Sequence, residues 1–244
     1  FLHKRIEPRG DQDIIENINP VISSESSVML IYTKDAKFIN RWRSKRTRLN
    51  SRTPVYTFIS IQGWEGVLGS QYSYGKYKFD IAGQLRMGPL GRIDYNYDIG
   101  THTGKLPFTL LEAPPSNQNL LTKEYGITFE LLRNMEYVTD TWSKAYLEWH
   151  GEGFLFRYIP VIKRLKIREV VGIKGVYGVW DPRHEDILKL PEGTTGLDGF
   201  YGEAVIGLEN IFNFMRVEFN LRLTNKLDNP KDNWAVRLGF ALEM

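Results

Sequence analysis

Three observations predict an all-β chain: long runs in which apolar and polar residues alternate, connections of alternating short and long length, and no apolar run long enough for a membrane-crossing helix. Together they predict an antiparallel transmembrane β-barrel of the outer-membrane type, with about 10–12 strands in this chain. The 244 residues are 42% hydrophobic and 13% aromatic. No window approaches the ~18–20 consecutive apolar residues that a spanning helix needs. A barrel strand needs only every second residue to face lipid, so its average composition looks soluble. A soluble sandwich shows the same alternation, which is why the connection lengths matter. With 32 basic and 29 acidic residues the net charge is +3, too balanced a total to argue for a nucleic-acid partner. The absence of cysteine removes disulfides, thiolate metal sites and cysteine nucleophiles together.

Taken in order, residues 1–9 read as the tail of a strand, 10–25 as a polar loop and 27–34 as a short strand. Residues 36–49 place Arg41, Arg43, Lys45, Arg46 and Arg48 around Trp42. This fits a strand that runs past the membrane into water or lipopolysaccharide headgroups better than a nucleic-acid stripe, because stacking partners are missing. Residues 54–62 form a strand before a glycine-rich loop. Over 72–87, Tyr77, Phe79, Ile81, Leu85 and Met87 alternate with Lys76, Lys78, Asp80, Gln84 and Arg86. Gly88-Pro89-Leu90-Gly91 makes a tight turn. The return strand sets Ile93, Tyr95, Tyr97 and Ile99 against Arg92, Asp94, Asn96 and Asp98. Successive strand side chains point to opposite faces, so each of these strands carries one oily and one polar stripe.

Residues 101–140 break the rule. Pro107, Pro114 and Pro115 exclude a central strand, and the segment is too apolar for disorder. It is expected to fold back into the barrel lumen, with 127–140 readable as either strand or short helix. Strands follow near 142–150, 168–180 and 200–208, separated by a proline-containing turn at 154–166 and a long loop at 181–199. The terminal hairpin sets Val217, Phe219, Leu221 and Leu223 against Arg216, Glu218, Asn220 and Arg222, and then Val236, Leu238, Phe240, Leu242 and Met244 against Arg237, Gly239, Ala241 and Glu243. Its ending, with Gly239, Phe240, Leu242 and Met244, resembles the terminal-strand signal of outer-membrane barrels, with Met in place of the usual Phe or Tyr. Short turns at 88–91 and 209–214 are expected on one rim, and the long loops at 101–140, 181–199 and 224–233 on the other. The whole of 1–244 is expected to be one barrel domain. The opening FLHKRIEPRGD is neither an initiator methionine nor an export signal, so a signal and earlier domains are expected before Phe1.

Four stretches carry a family resemblance: GKLPFTLLEAPPSNQN (104–119), MEYVTD (135–140), IPVIKRLKIREVVG (159–172) and GLENIFNFMRVEFNLRL (207–223). They resemble Bacteroidetes outer-membrane proteins of unknown function in which a carboxypeptidase-regulatory-like sandwich precedes a β-barrel. That barrel is distantly similar to the BamA/TamA surface-antigen superfamily. The resemblance implies a complete barrel of ~16 strands with the first before Phe1, a lumen-inserted loop at 101–140, and five strands after it. The superfamily's Arg-Gly-aromatic loop motif does not occur in 101–140, so no insertase activity is carried over.

Catalytic chemistry has little to stand on. His184-Glu185-Asp186 lacks the second histidine of a metal helix. His102, between Thr101 and Thr103, offers half of a hydroxyl–histidine pair. Nucleophile elbow, phosphate loop and dinucleotide fingerprint are all missing, so no catalytic residue, metal or cofactor is expected. Asp94, Asp98, Glu136, Asp140, Arg168, Arg216, Glu218 and Arg222 are expected to point into the lumen or its loop. There they would form an ion-pair network that pins the loop or, in the sharper reading, a selectivity lining. Glu136 and Asp140 are expected to meet wall arginines. The function that follows is a non-enzymatic outer-membrane scaffold or assembly-type subunit of a larger envelope complex, plugged by its own loop. A transport pore is the alternative and a barrel-embedded hydrolase the third reading. Partners would be outer-membrane lipids or lipopolysaccharide and other outer-membrane or periplasmic proteins, with no nucleic acid.

Overall fold

Among the described residues, alternation gives nine long strands that hydrogen-bond in a single antiparallel sheet, ordered β1-β4-β5-β6-β8-β9-β11-β12-β13. These are β1 (Glu25–Thr33), β4 (Val55–Gly63), β5 (Tyr74–Arg86), β6 (Arg92–Thr103), β8 (Thr141–His150), β9 (Arg168–Val179), β11 (Gly199–Ile211), β12 (Met215–Arg222) and β13 (Trp234–Phe240). Four two-residue strands make two small ladders: β2 (Phe38–Ile39) with β3 (Thr47–Arg48), and β7 (Tyr137–Val138) with β10 (Thr195–Gly196). The structure, a computed structural model, describes residues 21–34, 38–39, 47–48, 53–119, 122, 128–159, 164–187 and 189–240. The expectations for residues 1–20, for the basic stretch at Arg41, Arg43, Lys45 and Arg46, and for Leu242 and Met244 fall outside these residues.

Each long strand pairs with the next long strand along the chain, so the sheet is an up-and-down meander. Registers run unbroken from Gly75↔Thr103 to Arg86↔Arg92 between β5 and β6, and from Gly199↔Gly178 to Glu209↔Arg168 between β11 and β9. One bulge interrupts β11–β12, between Leu208 and Ile211. Five long strands follow the 104–140 segment, which carries a 3-10 turn at Phe108–Leu110 and no helix over 128–140. Among the described residues β1 and β13 are the sheet's two edges, and the sheet is not closed into a barrel. Leu238 of β13 also bridges Thr122 of the 104–140 segment.

The two faces of the sheet have opposite chemistry, and burial follows the unexpected one. On one face Val171, Ile173 and Tyr177 of β9, Phe200 and Ile206 of β11, and Phe219 and Leu221 of β12 are exposed, Ile206 at 60%. On the other, Lys144, Glu148, Lys174, Glu203, Glu218, Arg222 and Arg237 are buried, Glu203 and Arg222 at 0%. Charged side chains are the residues least often fully buried in a soluble core. Here they occupy the sheltered side of the six long strands from β6 to β13. The 104–140 segment lies across this covered face and supplies most of the apolar packing it has. Phe129 and Leu132 meet Trp142, Val176, Leu197 and Tyr201 in one cluster, and Leu106 and Leu111 meet Tyr74 in another. Full burial of each such side chain contributes about 1.5–3 kcal/mol.

The rims depart from the expected division. Strand directions put the 87–91 and 212–214 turns on one rim and the 104–140, 180–198 and 223–233 connections on the other. The first rim, however, also carries the 151–167 connection and the 34–54 connection. The Gly151 amide donates to Glu169 O at 3.0 Å and the Leu155 amide to the Glu169 carboxylate at 2.7 Å; the proline of the turn expected at 154–166 lies outside the described residues.

Candidate functional site

The interface between the 104–140 segment and the covered face concentrates the buried charge, and it is built from strand phase. In β8 the pleat sends Trp142, Lys144, Tyr146, Glu148 and His150 to the covered side; in β9 it sends Lys174, in β11 Tyr201 and Glu203, in β12 Arg216, Glu218, Asn220 and Arg222, and in β13 Arg237 and Gly239. Gly100 on β6 leaves room for Trp142, whose ring atoms would lie 2.3 Å from any Cβ added there. Lying over that gap, the indole N–H donates to Asp98 at 2.5 Å.

In this interface the sheet supplies the cations, and the crossing segment adds its carboxylates to the sheet's own Asp98 and Glu203, which lie 3.7 Å from Lys144 Nζ and 3.4 Å from Lys174 Nζ. Glu112 takes Lys76 Nζ at 2.7 Å and Lys144 Nζ at 2.5 Å, one on each oxygen. Burial alone would raise the Glu112 carboxyl, but the Lys144 and Lys76 ammonium groups outweigh it and hold it down at about 2. Glu136 is paired with Arg222, whose guanidinium also lies 4.8 Å from the Tyr201 ring centroid and 3.3 Å from Tyr137 Oη. Glu130 lies 3.4 Å from Arg237 Nε and 3.9 Å from Lys174 Nζ. Backbone is tied in as well. Lys174 donates to Thr128 O at 2.6 Å and Arg237 to Glu130 O at 2.7 Å. The wall carboxylate Glu203 accepts the Glu130 and Leu131 amides at 2.9 and 3.0 Å, and the Tyr201 hydroxyl at 2.7 Å. Around Thr128–Leu131 the segment's backbone groups are thus satisfied by side chains of the sheet, while Glu112 with Thr139 and Asn117 with Phe129 pair within the segment.

A second cluster lies nearer the short-turn rim and is made by the sheet alone. His150 stands between Asp94 and Glu148, at 3.2 and 3.0 Å from Nε2, with Glu209 at 2.9 Å from Nδ1. Arg216 reaches Glu148 at 2.7 Å and Glu209 at 3.6 Å, and is paired with Glu218.

The eight network residues expected from the sequence are placed as follows. Glu136 and Arg222 meet. Arg216 and Glu218 meet each other within the sheet, and Asp94 joins them through His150 and Glu148. Asp98 is paired with Lys78 and lies 3.7 Å from Lys144 Nζ. Arg168 is half-buried at the start of β9, opposite Glu209 in register. Asp140 does not meet a wall arginine: its neighbours are Arg183 at 3.8 Å and His184 Nε2 at 3.5 Å, both on the 181–187 turn. The reason is position, since Asp140 sits one residue before β8 at the rim, beside that turn. The terminal-strand pair divides by phase, with Gly239 on the covered face and Phe240 exposed and stacked on Phe214 at 6.4 Å. The His102 pair with a neighbouring hydroxyl does not form. Alternation turns Thr101 and Thr103 to the opposite face, where Thr101 contacts the Thr141 hydroxyl at 2.8 Å, while His102 lies 3.3 Å from Asp140 O. Sequence reasoning did not single out Glu112, Glu130, Lys144, Lys174, Glu203 or His150 for this site. For the wall residues the missing signal was phase: each shares the covered register of a neighbour already singled out.

Comparison with known proteins gives one match. The model for the C-terminal domain of a family of unknown function (DUF5686) matches residues 7–183. No curated protein and no solved structure matches the chain.

Proposed function

The chain belongs to this family of unknown function, and on that premise we propose that it is the wall of an outer-membrane β-barrel, non-enzymatic and plugged by its own 104–140 segment. It would serve as a scaffold or assembly-type subunit of an envelope complex, with membrane lipids and neighbouring envelope proteins as its partners. The inverted burial of the sheet carries this reading. Rows of exposed Ile, Val, Phe and Tyr on one face and buried charges on the other suit hydrocarbon outside and a polar interior within. Strands of 12 and 13 residues at β5, β6, β9 and β11 exceed the ~9–11 residues that a tilted strand needs to cross a bilayer. Eight antiparallel pairings leave β1 and β13 running the same way. An all-antiparallel closure therefore takes an odd number of further strands, in keeping with the larger barrel that the sequence resemblance implies. The finer placement, among Bacteroidetes barrels distantly similar to the BamA/TamA superfamily, is part of this proposal and rests on the four stretches at 104–119, 135–140, 159–172 and 207–223.

The purified full-length protein in planar bilayers tests the plug. Little steady conductance is expected from the intact protein, whereas a large steady conductance contradicts a plugged scaffold and favours a pore. One observation keeps the pore as the second reading. Beneath the crossing segment the wall presents Lys76, Lys144, Lys174, Arg222 and Arg237, so a channel opened there would select anions.

A further inference from the structure

The short-turn rim carries a pocket that neither the plug nor the covered face explains. It lies between the connection before β9 and the tip of the β11–β12 hairpin, where the register Glu209↔Arg168 brings the two together. Arg164, Leu165 and Lys166 line one side and Ile211, Phe212 and Asn213 the other, around a volume of about 290 Å³. That size is close to the ~300 Å³ at which small-molecule sites begin. The Asn210 side-chain amide donates to Lys166 O at 2.8 Å and ties the two sides together. Arg164 and Lys166 are exposed and have no carboxylate partner among the described residues.

The hairpin tip adds a second, independent sign. Ile211 O accepts the Phe214 amide at 3.2 Å, so Phe212 and Asn213 are the central residues of a tight turn, with φ of 53° and 67°. Asn tolerates that region, but a bulky aromatic there is an outlier in a position that Asn or Gly would fill without strain. Phe212 is nonetheless 72% exposed, so the aromatic ring is presented outward at a cost in backbone energy. Lys166 on the facing side is also left-handed, at φ 55°. On the same rim, Arg157 lies over Phe154 and Tyr158 at 5.1 and 5.0 Å, and Phe214 stacks on Phe240. Aromatic and basic residues where an apolar stripe ends are the composition of a membrane–water boundary.

We propose that this pocket binds the headgroup of an anionic phospholipid, with Arg164 and Lys166 holding the phosphate and Leu165, Ile211 and Phe212 supporting the upper acyl chain. The proposal rests on the membrane reading above and adds a specific site to it. Two unpartnered cations beside an apolar wall match an amphipathic anion, whereas a free phosphate would leave the aromatic wall without a function.

The test uses the full-length protein reconstituted in vesicles of phosphatidylcholine and phosphatidylglycerol in equal amounts. Flotation is followed by extraction and native mass spectrometry of the retained lipid. Wild type is expected to float and to retain phosphatidylglycerol over phosphatidylcholine by about thirtyfold, from two basic residues at a membrane surface. Arg164→Gln/Lys166→Gln should float equally and lose that preference, while Arg164→Lys/Lys166→Arg should keep it. Retention that inorganic phosphate abolishes but the double Gln variant does not overturns the lipid site. A floating wild type without lipid preference overturns the pocket alone. A wild type that does not float overturns the membrane reading and the pocket with it.

Discussion

The two halves of the covered face solve the same electrostatic problem in different ways. Near the short-turn rim, His150 and Arg216 are surrounded by Asp94, Glu148, Glu209 and Glu218, all from the sheet. Under the crossing segment the sheet offers Lys76, Lys144, Lys174, Arg222 and Arg237, and much of the compensating charge arrives on Glu112, Glu130 and Glu136 of that segment. Removing a buried ion from water costs several kcal/mol unless a partner compensates. The rim half is therefore self-sufficient, whereas the other half depends on the plug being in place. Holding the segment and neutralising the wall are one interaction seen from two sides.

The largest expected effect comes from cutting that dependence at its most buried point. Arg222→Met leaves the Glu136 carboxylate without its cation and should cost about 3–5 kcal/mol, read as earlier thermal unfolding in detergent and new protease cleavage within 128–136. Arg222→Met/Glu136→Leu should recover most of the loss. Arg216→Met, in the self-sufficient half, should destabilise without opening 128–136. If both single variants expose the segment equally, the distinction between the halves fails.

A smaller effect is expected from acid. Glu112 is held at about 2, below its ordinary value of 4.5. A depressed carboxyl stabilises the folded state in full above its unfolded value and loses that contribution as pH falls through the folded one. The grip of Lys76 and Lys144 on the segment should thus be complete above pH about 4.5 and weaken toward pH about 2, by on the order of 3 kcal/mol. Pepsin cleavage of 104–119 across that range should rise steeply in wild type. In Glu112→Gln it should already be high at pH 5 and change little below it.

Strand phase was the legible part of this molecule. The hairpins at β5–β6 and β12–β13 could be read directly because Lys76 to Arg86 alternates apart from Ala82 and Gly83, and Arg216 to Arg222 alternates throughout. Partners across the interface were much harder to read. Glu136 and Arg222 are 86 residues apart, and which wall cation each carboxylate meets depends on the path of a segment whose backbone is held by Glu203, Lys174 and Arg237 as well as by its own hydrogen bonds. Asp140 was misassigned for the same reason, since nothing local indicates that the 181–187 turn folds over the start of β8.

The central claim is that the exposed apolar stripe meets hydrocarbon, and Ile206, near the middle of β11, tests it most directly. Urea unfolding of the full-length protein from phosphatidylcholine vesicles should show Ile206→Arg destabilised by at least about 2 kcal/mol, the depth-dependent cost of a charge at the bilayer midplane. An Ile206→Arg protein as stable as wild type, or more stable, would mean that this face meets water, and the account would be wrong.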